Sequence, residues 1–459
     1  MTEQQFGADS ADSANNVDSA DSADVTHVMD VVDDMNPQEE IEQVDAADNV
    51  GGQEEQVVTV VFTADNHLGY AASGQSPRKR EEWQQRLRSA FQRATDFAVG
   101  QGVDLFIQAG DLFDSATPDE RDRSFVAARL AQLRQANVRV FALGGIHDTP
   151  LATHANASNA GDDAPAPQQS YASLGALTYF APNTFELEPV MLDVHGTLVG
   201  VCGLSVLADQ SGDPVARMHV ASDIERAAIA LLILHAPIAG FTSSSQLDSR
   251  TPLTQVSRES IERQSAFRTI LAGYHHMYQQ VPMGQREVVI AGATQHIDFA
   301  TPSNADETPG FVFLGLDKNG IRWCKHIAVD APPLHKLVLR TEELWPSLSH
   351  ATTAQQGATD AILARLLPLC DEQTMVQLRL EGALTRQQYH QLDMNRLRRS
   401  GEEHTFAFAL DDSGLELLPE DETKLSAGVG ERFSPREELI TLADEWIAAA
   451  TDEPEKKAL

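Results

Sequence analysis

Aspartate and histidine recur in this chain in short runs of fixed spacing: Asp65-Asn66-His67, Gly110-Asp111-Leu112-Phe113-Asp114, Gly144-Gly145-Ile146-His147-Asp148, an isolated His235, and Gly273-Tyr274-His275-His276. Carboxylate oxygen and imidazole nitrogen together suit Mn²⁺, Fe or Zn²⁺. A lone Asp-x-His, or a lone Gly-Asp-x-x-Asp, says little, and any one of these histidines taken singly reads more readily as a surface or hydrogen-bonded residue. Five such groups in order, each ending an apolar run, call for a common structural cause.

The elements around them supply one. Val57 to Phe62 is a β-branched run that predicts a buried strand leading into Asp65. Trp83, Leu87, Phe91, Ala94 and Ala98 are spaced by three and four, which predicts a helix over about Glu81 to Ala98. A strand over Val103 to Ala109, a helix over about Pro118 to Gln135 and a strand over Val138 to Leu143 complete a β-α-β-α-β series. Its polar residues collect at strand C-terminal ends, the edge where open α/β sheets bind ligands. Residues 151–169 read as a surface loop. Strands follow at Pro189 to Val194, Leu198 to Gly203, Ala230 to Leu234, Thr269 to Ala272, Val288 to Ala291 and Phe311 to Leu316. The last joins Ile321 to Ile327 through the Asp317-Lys318-Asn319-Gly320 turn. After Ala331-Pro332-Pro333 a second β-α-β-α-β unit begins, with strands Lys336 to Arg340, Met375 to Leu380 and Thr405 to Leu410 and helices about Asp360 to Leu367 and Arg386 to Arg399. An acidic linker, about 411–432, precedes a capped helix from about Pro435 to Ala449 with an apolar stripe. The expected organisation is an acidic tail over 1–56, an α/β domain over 57–331, a small α+β capping domain over 332–420, and linker plus helix over 421–459.

Charge narrows the function. The 459 residues carry a formal charge of −34, which argues against a generic nucleic-acid coat protein. Residues 1–57 hold 16 acidic residues and no Lys or Arg, a composition expected to stay unfolded. The three cysteines are far apart and form neither a disulfide framework nor a Cys-x-x-Cys pair, and no stretch has the length and apolarity of a membrane span. A soluble cytoplasmic protein is the expectation.

The ordered set resembles the calcineurin-like metallophosphoesterase family, with its D-x-H, G-D-x-x-D, G-N-H-[DE], single H and G-H-x-H motifs. Within it the chain resembles the SbcD nucleases through Asp65-Asn66-His67-Leu68-Gly69-Tyr70, Ala109-Gly110-Asp111-Leu112-Phe113-Asp114 and Gly292 to Phe299. The resemblance runs over roughly 57–330 and more loosely over 333–420. It implies a four-layer α/β/β/α sandwich with a cap and a two-metal centre that activates water and clamps a phosphate. It also implies roles: Asp65, His67 and His276 on the first metal, Asp111 bridging, His235 on the second, and His147 beside the scissile phosphate with Asp148 orienting its ring. The metal is expected to be Mn, with Fe or Zn as alternatives and one or two ions bound. DNA ends, an SbcC-type coiled-coil ATPase and a second copy of the chain are the implied partners.

Two positions depart from the pattern. Ile146 stands where the family has Asn, and Tyr274 where it has the first His of G-H-x-H. Both changes fall on the second metal. Tyr274 as a phenolate and His275 are the substitute ligands; otherwise Tyr274 packs and the second ion binds weakly or not at all. Arg78, Lys79 and Arg80, with Arg86 and Arg88, are a basic group suited to DNA or to pairing with Glu81 and Glu82 along a helix. Arg396, Arg398 and Arg399 in the small domain sit where a helix end itself favours positive charge. The leading expectation is a metal-dependent phosphodiesterase acting on DNA ends in repair. The alternatives are a catalytically impaired DNA-end-binding or ATPase-docking subunit, and a phosphoesterase for small phosphodiesters.

Overall fold

A computed structural model describes residues 57–72, 75–150, 165–205, 212–241, 255–299, 308–345 and 357–418. The acidic tail and the helix expected over Pro435 to Ala449 lie outside the described residues.

Two six-stranded sheets pack face to face. The first runs in the order Gly320–Ala328, Gly310–Asp317, Val58–Thr63, Leu105–Ala109, Arg139–Leu143, Thr178–Phe180, and the second Gln279–Met283, Arg286–Ile290, Thr269–Gly273, Ile229–His235, Thr197–Ser205, Val190–Val194. Strand periodicity explains the layering. Val58, Val60 and Phe62 point between the sheets with Leu231 and Ile233, whereas Val61 faces the helices and Leu232 and Leu234 face the opposite outer side. Each central strand is buried on both faces, which is why it reads as a continuous apolar run. Helices Pro77–Gln101 and Glu120–Gln135 cover the first sheet. The described cover of the second is thin, made of the short helices Pro214–Arg217 and Arg258–Arg263 and a 3₁₀ turn over Ser222–Arg226. The result is the expected α/β/β/α sandwich.

The central strands of the first sheet, Val58–Thr63, Leu105–Ala109 and Arg139–Leu143, are mutually parallel, as are Ile229–His235 and Thr269–Gly273 in the second. Their C-terminal ends therefore share one edge, where every motif lies. Backbone pairing continues past the strands, from His67 N to Asp111 O at 3.0 Å and from Leu68 N to Leu112 O at 3.0 Å.

Strands Leu334–Arg340, Met375–Thr385 and Ala407–Leu418 form a separate parallel sheet covered by helices Gly357–Leu366 and Met394–His404. Two expectations are corrected here. Residues 411–418 continue the last strand rather than forming a linker, because Leu415 points into the small core while Asp411 and Glu416 face outward. Residues 167–169, expected in a loop, open the helix Pro167–Ser173, with proline at its first position.

The small sheet docks through the long helix. Trp83, 1% exposed, packs on Phe406 with ring centroids 5.2 Å apart, and Arg86 lies over the same ring at 5.0 Å. The Lys79 ammonium donates to the carbonyls of Glu402 and Thr405, at the C-terminal end of Met394–His404.

Candidate metal centre

Asp65, His67 and Asp111 follow their strands in left-handed backbone conformation, with φ of 49°, 44° and 52°, and Tyr274 does so at 84°. These four are a majority of the seven such non-glycine residues among those described, so backbone strain is concentrated at this edge. Close approach of the strand ends needs glycine at two points. A Cβ on Gly145 would lie 2.1 Å from Asp111 Oδ1, and one on Gly110, whose φ is +88°, would lie 2.2 Å from His235 Nδ1.

Three imidazoles face two carboxylates. His67 Nδ1 is held by Asp114 Oδ1 at 3.0 Å, His276 Nδ1 by Asp298 Oδ2 at 2.6 Å, and His235 Nδ1 by the Ala109 carbonyl at 2.7 Å. In each ring the outer contact fixes Nδ1–H as the donor and turns Nε2 inward, where it carries a proton or, with that proton released, a lone pair for a cation. Nε2 of His67 and Nε2 of His235 are both buried without a hydrogen-bond partner. They lie 3.9 Å and 3.3 Å from Asp111 Oδ2. Ligand atoms of Asp65, His67 and His276 lie within 4.8 Å of one another, and so do those of Asp65, Asp111 and His235. Asp65 is thus common to both groups, whereas Asp111, expected to bridge, groups with Asp65 and His235.

The electrostatics agree. Burial works against the charge of Asp111, but His235 overrides it, with help from His67 and His147, and holds the carboxyl below its ordinary range. Burial likewise opposes protonation of His235, yet Asp111 raises it to about 9. Burial lifts Asp65 above the usual carboxylate range against the pull of His235 and His276. The cluster is short of positive charge, which imidazole protons supply at Asp111 and a divalent cation would supply in their place. Buried lone pairs, hard donors and a charge deficit make the residues fit a metal ion.

The remaining expected residues fall as follows. His147 is 44% exposed at the mouth, edge-on to His67 with centroids 4.7 Å apart, while its backbone N–H donates to Asp111 Oδ1 at 2.8 Å. Burial lowers its imidazole below the usual range. The role expected of Asp148 is corrected. Its Oδ1 accepts from Gly145 N at 2.8 Å, and its Oδ2 accepts from Leu112 N at 2.8 Å, Phe113 N at 3.4 Å and the Gln168 side chain. With both oxygens taken by these partners, Asp148 ties two motif loops together. The carboxylate facing the His147 ring is Asp114, 3.7 Å from its Nδ1.

His275 is likewise not poised as a ligand. Its Nε2 accepts from the Ile238 backbone at 2.9 Å and its ring lies against Phe241. Tyr274 donates its backbone N–H to Asp65 and sets its ring edge-on to His235, with centroids 5.7 Å apart. Burial, with Asp111 and Asp65 nearby, pushes its phenol up to about 12. Of the basic group, Arg78 and Arg80 are exposed, whereas Lys79 holds the small domain and Arg88 is buried against Asp122 at 3.0 Å. Arg86 pairs with Glu82 at 2.9 Å, as helical spacing allows.

Sequence reasoning leaves Asp114, Asp298 and Gln108 without roles. Gln108 links Gly110 O at 2.7 Å to Asn66 Oδ1 at 3.2 Å, and Asn66 reaches Thr294 at 3.1 Å, so a buried polar chain registers the first two motif loops on the last. For Asp114, its place three residues after Asp111 is the one signal the sequence carries.

Residues 58–245 match the calcineurin-like phosphoesterase family. Similar curated proteins are named DNA double-strand break repair protein Mre11. The protein of Methanosarcina mazei is 31% identical over 99 residues, 22% of this chain and 15% of that protein. That of Saccharolobus solfataricus is 28% identical over 94 residues, 20% of this chain and 23% of that protein. That of Halobacterium salinarum is 33% identical over 89 residues, 19% of this chain and 22% of that protein. The matched stretch thus spans less than a quarter of each of these relatives.

Proposed function

We propose that this chain, whose residues 58–245 match the calcineurin-like phosphoesterase family, is a metal-dependent phosphodiesterase of the SbcD type, cutting DNA at its ends during repair. The observation that carries this reading is the ring of Nδ1-anchored imidazoles, His67, His235 and His276, around Asp65 and Asp111. Asp65, His67, Asp111, His235 and His276 would hold the metal, with Mn²⁺ as the favoured ion. When bound, it supplies Lewis acidity toward a phosphate and a nucleophile at neutral pH. His147, at the mouth, meets the scissile phosphate and protonates or hydrogen-bonds the leaving oxygen. Asp114 positions both His67 and His147.

DNA as substrate draws support from the names of the relatives and from the small domain. Lys336, Val338 and Arg340 alternate with core-facing Leu337 and Leu339, and strand register sets Arg379 beside Val338 on the same face. Arg340 and Arg379 are exposed, and Lys336 lies within the electrostatic reach of Asp298. Arg379 pairs with Glu381 at 2.9 Å, so Lys336 and Arg340 are the phosphate contacts this face offers beside exposed Arg78 and Arg80. An SbcC-type coiled-coil ATPase would supply further positive surface and is the proposed partner, with a second copy of the chain as another.

The test is cleavage of a linear duplex by the Mn²⁺-loaded full chain, with a covalently closed circle and the His67→Ala variant as controls. Cleavage of the linear duplex that exceeds the variant by orders of magnitude is expected; equal rates end the reading. Ile146 and Tyr274 favour one alternative, an impaired member that binds DNA ends without cutting them. Retained end binding with no cleavage would identify it.

A further inference from the structure

We infer that the two halves of this centre bind a divalent cation unequally, a tight half on Asp65, His67 and His276 and a weak half on Asp65, Asp111 and His235. The inference rests on reading the cluster as a phosphoesterase metal site, and it concerns residues peculiar to this chain. Both substituted positions stand beside the weak half. Ile146 immediately precedes the residue whose backbone N–H is bound to Asp111, at 2.8 Å, and its side chain has no lone pair. Tyr274 sets its ring against His235 and offers a neutral phenol where an imidazole would serve. The neighbouring His275 cannot replace it without giving up the Ile238 amide.

The anchoring of the imidazoles points the same way. Both rings of the tight half are backed by carboxylates, His67 by Asp114 and His276 by Asp298, whereas His235 is backed by the neutral Ala109 carbonyl. A carboxylate behind the ring raises the basicity of the ligating nitrogen, and loss of such an outer partner alone weakens binding by about 10 to 100-fold. A half with one carbonyl-backed imidazole, beside a half with two carboxylate-backed ones, should therefore bind about 10 to 100-fold more weakly than its neighbour.

Calorimetric titration of the metal-free full chain with Mn²⁺ tests this, accompanied by electron paramagnetic resonance. The expected result is one tight class and one about 10 to 100-fold weaker, with the hyperfine signal of isolated Mn²⁺ at one equivalent. The Ile146→Asn/Tyr274→His variant should tighten the weak class and show spin coupling at two equivalents. If that variant does not fold, His235→Ala serves: it should remove the weak class and spare the tight one. Two classes of equal affinity, no tightening in the double variant, or loss of the tight class in His235→Ala would each overturn the inference. Two unequal classes without DNA cleavage support it while defeating the nuclease reading, and absence of any Mn²⁺ binding defeats both.

Discussion

Asp114 holds His67, its Oδ1 3.0 Å from the ring Nδ1, and the same oxygen lies 3.7 Å from Nδ1 of His147. One partly exposed carboxylate therefore sets the tautomer of a proposed metal ligand and faces the ring at the mouth of the site. Asp114→Ala should weaken Mn²⁺ binding by about 10 to 100-fold, the usual effect of losing an outer partner of a ligating histidine. It should change unfolding free energy by less than about 1 kcal/mol, as suits a partly exposed group. Unchanged Mn²⁺ affinity in a titration of the variant would remove Asp114 from this role.

Asp148 should behave in the opposite way. It is fully buried and gathers the amides of Gly145, Leu112 and Phe113. Burial, reinforced by Asp111, raises its carboxyl to about 6. Asp148→Ala leaves at least two well-formed amide donors stranded, each worth about 1 to 3 kcal/mol. Urea denaturation of the metal-free protein is expected to show a loss of about 3 kcal/mol or more. A loss under about 1 kcal/mol would mean that water replaces the carboxylate there.

His296 predicts a pH dependence of stability. Its backbone carbonyl takes the Trp83 indole N–H at 3.0 Å, and burial drives its imidazole down to about 4, only partly offset by Asp298. An unfolded chain binds a proton on this residue below about 6.5, whereas the folded chain resists until about 4. The folded state therefore loses stability as pH falls through this window and is relieved of the penalty above it. Comparing His296→Gln with the parent between pH 7 and 4 should reveal a loss about 2 to 3 kcal/mol smaller in the variant. Parallel curves would show that the ring is protonated when folded.

What can be read from the sequence follows from what burial imprints on it. The strands before Asp65, Asp111 and His235 are buried on both faces, so their apolar runs are visible and their ends mark the clustered residues. The edge strand Gln279–Met283 escapes such a reading, since Gln279 and Gln280 break the pattern and Pro282 is tolerated there only because the strand is at a sheet edge. Adjacency to His147 suggests a contact that Asp148 does not make, because successive residues in a turn point in different directions. Nothing local to Lys79 ties it to a carbonyl 323 residues away.

That long-range contact separates two readings of the basic group after the first motif. Lys79 closes the helix Met394–His404 and fastens the small domain, whereas Arg78 and Arg80 are exposed. Lys79→Met should therefore lower stability by roughly 1 to 2 kcal/mol, as expected for a charged hydrogen bond at a helix end. It should leave the salt dependence of DNA binding unaltered. Arg78→Ala/Arg80→Ala should do the reverse, sparing stability and flattening the plot of log affinity against log salt. The slope should change by about 0.9 for each duplex phosphate that the arginines no longer neutralise. If Lys79→Met alone flattens the slope, its ammonium leaves the carbonyls for phosphate when DNA binds. An unchanged slope in the double arginine variant would instead move the DNA path to the face carrying Lys336 and Arg340.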